Sequence, residues 1–148
     1  MKKIWILVAN QAEAQIYAAE KLAGSLMLVD TLANNDGSAH ARDLVADGPG
    51  SVHDRMGASR HSMEPHTGVK EGERQRFVKE MVGRLKVAYS RGDFDRLVLL
   101  AAPAVLGVLR KTLSKALENT VVLEISKDVV GQEVGKIHQQ LVRAFEVA

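Results

Sequence analysis

No cysteine occurs among the 148 residues. That excludes disulfides, thiolate zinc sites, cysteine-ligated iron–sulfur clusters and cysteine nucleophiles. Aromatic residues make up only 4%, and the single Trp, Trp5, is most simply a core or strand-face residue. Only three prolines occur, which leaves most of the chain free to form regular structure. No apolar run approaches the roughly 20 residues of a membrane span. The apolar start Ile4-Trp5-Ile6-Leu7-Val8-Ala9 is too short for a signal peptide, and no small-residue cleavage site follows it. The expectation is a cytoplasmic protein that makes no use of a membrane. Charge of one sign is also scarce. The net charge is +2, which permits contact with RNA or phosphate but does not argue for it.

What is present suits one domain over residues 1–148. A chain of this length buries enough surface to fold without a metal or disulfide. Ile4 to Ala9 is continuously apolar, as in a strand covered on both faces. Gln15, Tyr17 and Ala19 alternate with Ala14, Ile16 and Ala18, and Leu26 to Leu32 is a third apolar run. Short connections between the three predict an antiparallel meander. A long loop at about 34–68 follows, rich in Gly, Asp, Asn and Ser and without sustained period.

Beyond it the pattern alternates. Phe77, Val78, Met81, Val82, Leu85, Ala88 and Tyr89 share one helical face, closed by Arg91-Gly92, with Glu71 and Glu73 near the helix start. Arg96 to Ala101 reads as a buried strand. Pro103 suits the first position of one helix carrying Val105, Leu106, Leu109, Leu113 and Leu117. Val121 to Ile125 is a last strand. A final helix from about Gln132 carries Val134, Ile137, Leu141, Val142 and Phe145 inward. The order β-β-β-α-β-α-β-α implies an α/β fold: a mixed five-stranded sheet of ribonuclease H-like layout, with helices packed on it.

Such a layout invites comparison with metal-dependent nucleases, which gather carboxylates around two divalent ions. The first strand carries no acid, Asp30 stands alone on the third, and Asp93 and Asp95 read as a solvated turn with Gly92. No metal, cofactor or catalytic residue is therefore assigned.

The densest polar chemistry lies in the long loop. His53, His61 and His66 occur there with Glu64, but at no metal-ligand spacing. Ser51, His53 and Asp54, or Ser59 and His61, are neighbours in sequence and lack a nucleophile elbow. Gly48-Pro49-Gly50-Ser51 lacks the following Lys of a phosphate loop. Arg55 and Arg60 offer planar forks for phosphate or carboxylate, and His61 can donate, accept or titrate. Arg110, Lys111 and Lys115 read as a solvated basic face. His138 sits at core-edge spacing. The candidate binding residues are Asp54, Arg55, Gly57, Arg60, His61 and Glu64.

Several segments in order, over nearly the whole chain, carry a family resemblance. They are Ile4 to Ala9, Asp54-Arg55-Met56-Gly57 with Arg60-His61, Phe77-Val78-Lys79-Glu80, Phe94 to Pro103, Leu106 to Arg110, and Ile125 to Val129. The chain resembles the bacterial host attachment protein family, named for proteins required for attachment to host cells. Met56 and Ala58 stand where the commoner family form has Pro and Arg. The family is similar to the middle domain of eukaryotic and archaeal peptide release factors, whose loop carries Gly-Gly-Gln. No Gly-Gly-Gln occurs here, and Val130-Gly131-Gln132 is a partial look-alike at a helix start.

No preorganised base and nucleophile is visible, so the expectation is a non-enzymatic binding or adaptor protein of this family, using the 54–66 loop on a protein or RNA partner, with enzymatic activity left open. The alternative is a hydrolase-type or ribosome-associated factor acting on an RNA or ester substrate. Nothing in the sequence decides for or against a homo-oligomer.

Overall fold

The computed structural model describes residues 3–21, 24–34 and 63–147, with side chains of the last stretch from Val69 to Glu146. Five strands form one sheet: β1 (Ile4–Ala9), β2 (Glu13–Ala19), β3 (Met27–Ala33), β4 (Arg96–Ala101) and β5 (Val121–Ser126). Their order is β3-β2-β1-β4-β5. β1–β2 and β2–β3 are antiparallel, while β1–β4 and β4–β5 are parallel. The helices are α1 (Met63–Ser90), α2 (Pro103–Thr112), α3 (Lys115–Glu118) and α4 (Val134–Val147). The mixed α/β sheet expected from the strand pattern is thus present.

β1 sits at the centre, and all six of its residues are buried. Its alternating side chains feed two cores. Trp5, Leu7 and Ala9 join Ala14, Ile16, Leu97 and Leu99 under α1, α2 and α3. Ile4, Ile6 and Val8 join Tyr17, Val98 and Leu100 under α4, where Ile137 and Leu141 meet them. Trp5 stacks on Phe94 with ring centroids 5.1 Å apart, so the single Trp is a core residue.

The apolar face of α1 is buried from Phe77 to Ala88, as its spacing predicts, and Tyr89 lies at the margin. Gly92 ends this helix at φ +78°. Its N–H donates to the Tyr89 carbonyl and that of Asp93 to Ala88, the paired bonds of a glycine-terminated helix. Asp93 and Asp95 do form a turn around Gly92. Asp93 pairs with Arg91 at 3.0 Å, and Asp95 accepts the Lys3 backbone N–H at 2.8 Å.

Several expectations need correction. The helix begins at Met63, so residues 63–68 belong to it and not to the loop. Pro65 is compatible because the first turn needs no internal N–H partners. Glu71 and Glu73 consequently lie in the third turn, beyond the reach of the end charge. The helix expected through Leu117 is broken. Leu113 turns to extended backbone, and the Ser114 hydroxyl accepts the Leu117 N–H to start α3. The side chains expected inward still point inward, because the break preserves the face. α4 starts at Val134, not Gln132, and Val134 and Phe145 are exposed. They lie in the first and last turns of the helix. β3 runs one residue later than expected, and its apolar residues Met27 to Val29 are exposed because it forms the sheet edge.

Candidate functional site

β1, β3, β4 and β5 all point the same way, so their carboxyl ends share one edge. Ligands of open α/β sheets gather at such an edge, because chain segments diverge there. Asn10 follows β1, Asn34 follows β3, Ala102 follows β4 and Lys127 follows β5.

Asn10 organises this edge. Its side-chain carbonyl accepts the N–H groups of Ala12 and Glu13 at 2.8 and 2.9 Å, which shapes the β1–β2 turn. Its amide donates to both Asp128 oxygens, at 3.2 and 3.3 Å. Asp128 also accepts the Val130 N–H at 3.2 Å. The Asn34 amide donates to the Gln11 carbonyl at 3.0 Å, and its backbone N–H donates to Ala12. One network therefore fastens the ends of β1, β3 and β5.

α2 opens on the same edge. Pro103 occupies its first turn, and no side chain caps Ala102. The edge thus carries backbone donors, the Asn10 and Asn34 amides and the carboxylates of Glu13 and Asp128. Lys127 is occupied sideways, donating to Gln140 at 3.2 Å.

α1 extends the edge outward. Its 28 residues span about 42 Å, whereas a six-residue strand such as β1 spans about 20 Å. Among the described side chains of α1, the buried apolar ones begin at Phe77. Because α1 ends beside the start of β4, its amino-terminal half projects past the carboxyl edge.

Asp54, Arg55, Gly57, Arg60 and His61 lie outside the described residues, as do the side chain of Glu64 and the whole of His53. His66 lies in α1, its side chain likewise outside them. The other flagged groups are accounted for. Asp30 is ion-paired with Arg84 of α1. Arg110 pairs with Glu124 at 2.8 Å, as a solvated face would. His138 is half-buried on α4. Among the described residues, no three His, Asp or Glu side chains gather to hold a metal. Gly131 adopts φ +85° in the turn before α4, which gives Val130-Gly131-Gln132 a conformational role.

Sequence reasoning did not single out Asn10 and Asp128 as partners. The available signal was position: each stands within two residues of a parallel strand's carboxyl end.

Comparison with known proteins supplies a relative and a family. The chain is 28% identical over 78 residues to an uncharacterised protein of Rickettsia prowazekii (strain Madrid E), covering 51% of this chain and 52% of that one. The chain thus spans about half the length of the curated relative it matches. A family model described as "Protein required for attachment to host cells" matches residues 5–141, from the Trp5 of the central strand to the Leu141 of the last helix. The chain belongs to that family of proteins required for attachment to host cells.

Proposed function

We propose that this chain is a cytoplasmic binding or adaptor protein of the host attachment family, and that its partner is a protein or RNA held at the carboxyl edge of the sheet. The observation that carries this reading is the Asn10–Asp128 network. It ties Asp128 into the structure beside the amino terminus of α2, whose first-turn N–H groups have no side-chain cap. Asp54, Arg55, Gly57, Arg60, His61 and Glu64 are the proposed contact residues. All but Glu64, which is in the first turn of α1, lie in the sequence between Asn34, which leaves this edge, and α1, which projects from it. Arg supplies a fork for phosphate or carboxylate, and His a donor or acceptor tuned near neutral pH.

A second reading takes support from the strand order. A sheet ordered β3-β2-β1-β4-β5, with β2 alone reversed, suits the ribonuclease H-like layout inferred from the sequence. That supports a relation to release-factor middle domains and a ribosome-associated role, with hydrolase-type action on an RNA or ester substrate as its enzymatic form. It is an argument from scaffold, and scaffolds host many functions.

Tagged purification from the native cell, with and without nuclease, separates the readings. Ribosomal components lost on nuclease treatment favour the translation role, and a nuclease-resistant protein partner favours the adaptor. The double variant Arg60→Ala, His61→Ala should keep its fold and lose partner recovery. Unchanged recovery from a stable double variant removes the 54–66 segment from the proposal.

A further inference from the structure

The net charge of +2 hides an uneven distribution. α1, α2 and α3 lie on one side of the sheet, over the core that contains Trp5. From Val69 onward these helices carry nine Lys and Arg against four Glu. That excess is larger than the value for the whole chain, so the rest of the chain is acidic on balance. α4, on the opposite side, holds Lys136 and Arg143 against Glu146. The helices also sort these charges. α1 packs along α2 and reaches α3. Arg84 pairs with Asp30 of β3, so its flank of α1 faces the β3 edge. At 3.6 residues per turn, Lys79 and Lys86 stand roughly 140–160° round the helix from Arg84, on the flank toward α2. Glu73 and Glu80 stay on the Arg84 flank. On α2, Arg110 leans to β5 through Glu124, and Lys111 beside it turns away from the sheet. Lys115 opens α3. Lys79, Lys86, Lys111 and Lys115 are all exposed, and none has an ion-pair partner among the described residues. The crests that carry them are small: an added Cβ at Gly83 of α1 or Gly107 of α2 would meet nothing within 4 Å.

We propose that the α1–α3 layer docks double-helical RNA by its phosphate backbone, with Lys79, Lys86, Lys111 and Lys115 as the contacts. Unpaired ammonium groups on flexible stems suit phosphates, and glycine crests let a backbone come close. The shape selects the duplex and its type. On this side of the sheet Trp5, Phe77 and Phe94 are buried and Tyr89 leans on Phe94, so unpaired bases find no stacking platform. Two helices side by side present a face about 20 Å across. That is too broad for the major groove of B-DNA, roughly 12 Å wide. The wide, shallow minor groove of A-form RNA admits such a face and is recognised through phosphates and 2′-hydroxyls. An acidic protein or an anionic membrane calls for large apolar anchors, where these crests offer glycine. The surface lies on the helical layer and not at the carboxyl edge, so it does not depend on the binding role proposed there.

Fluorescence anisotropy tests this, with a labelled RNA duplex of about 20 base pairs titrated with the full chain over a range of salt. The expected result is binding that weakens as salt rises. The slope of log affinity against log salt should shrink by about two units in the double variant Lys79→Ala, Lys86→Ala, and likewise in Lys111→Ala, Lys115→Ala. Lys136→Ala on α4 is the control and should leave slope and affinity unchanged. Circular dichroism checks that each variant folds, and if a pair does not, its single substitutions serve, at about one unit of slope each. A wild type that does not bind the duplex overturns the proposal, as does a slope indifferent to both lysine pairs. Equal affinity for a DNA duplex or for single-stranded RNA overturns the choice of double-helical RNA. Binding lost in Arg60→Ala, His61→Ala but kept in the lysine variants puts the RNA on the 54–66 segment and also overturns it.

Discussion

The side-chain amide of Asn10 donates to both carboxylate oxygens of Asp128, at 3.2 and 3.3 Å, across 118 residues of sequence. This contact joins the end of the central strand to the segment between β5 and α4. The same asparagine accepts two backbone N–H groups of the β1–β2 turn. Both ends of the side chain are thus engaged, and no other residue type offers an acceptor and a two-hydrogen donor at this length.

Asn10→Ala should lower unfolding free energy by about 1–2 kcal/mol, the sum of several partly exposed hydrogen bonds. Asp128→Ala should cost less, since it leaves the turn bonds in place. Urea denaturation of the two single variants and the double variant gives a coupling energy. A coupling near zero means that the contact does not fasten the edge.

Gly92 tests the helix end. Its φ of +78° is unfavourable for a side chain, yet an added Cβ would meet nothing within 4 Å. Gly92→Ala should therefore cost about 1 kcal/mol from backbone conformation alone. Thermal unfolding checks this. A loss several-fold larger points to packing around the turn that the geometry does not contain.

Burial pushes the Tyr17 phenol above its ordinary value of 10.0. A group whose folded pKa is raised gives its full contribution below the unfolded value and loses it as pH rises through the folded one. Wild-type stability should thus fall as pH climbs above about 10, and Tyr17→Phe should fall less steeply. Melting temperatures of both proteins over that window decide it. Parallel curves mean that the phenol titrates alike in both states.

Purified protein should not cleave RNA or RNA–DNA hybrids with Mg²⁺ or Mn²⁺. Asp30 is paired with Arg84 on β3, and Asp95 holds the Lys3 N–H beside β4. Three strand spacings separate those strands, about 14 Å, whereas two-metal sites hold their ions about 4 Å apart. Metal-dependent cleavage lost in Asp30→Asn or Asp95→Asn would overturn this placement.

Much of the architecture was legible in local pattern. The unbroken apolar run Ile4 to Ala9 identified a strand buried on both faces, and it is the central one. The 3.6-residue period from Phe77 to Ala88 named the buried face of α1. These signals are strong because burial of one face imposes a repeat on every residue. Arg91-Gly92 marked a helix end for a similar reason: few other residues tolerate that backbone conformation.

The candidate residues of the 54–66 segment rested on side-chain chemistry, which says what a group can do but not what it meets. The beginning of α1 was missed because Pro65 and Gly68 read as turn formers, although a helix's first turn tolerates Pro. The break at Leu113 was missed because the apolar spacing continues across it.

The sequence by itself determined the five strands, the buried helix faces and the two-sided burial of β1, because these follow from composition and period along the chain. Only the tertiary structure decided which residues meet. Asn10 finds Asp128, Arg84 neutralises Asp30, and Met27 to Val29 lie at an edge instead of within a core. An apolar strand looks the same in sequence whether one neighbour flanks it or two. The difference arises when the sheet assembles and one strand is left last in the row.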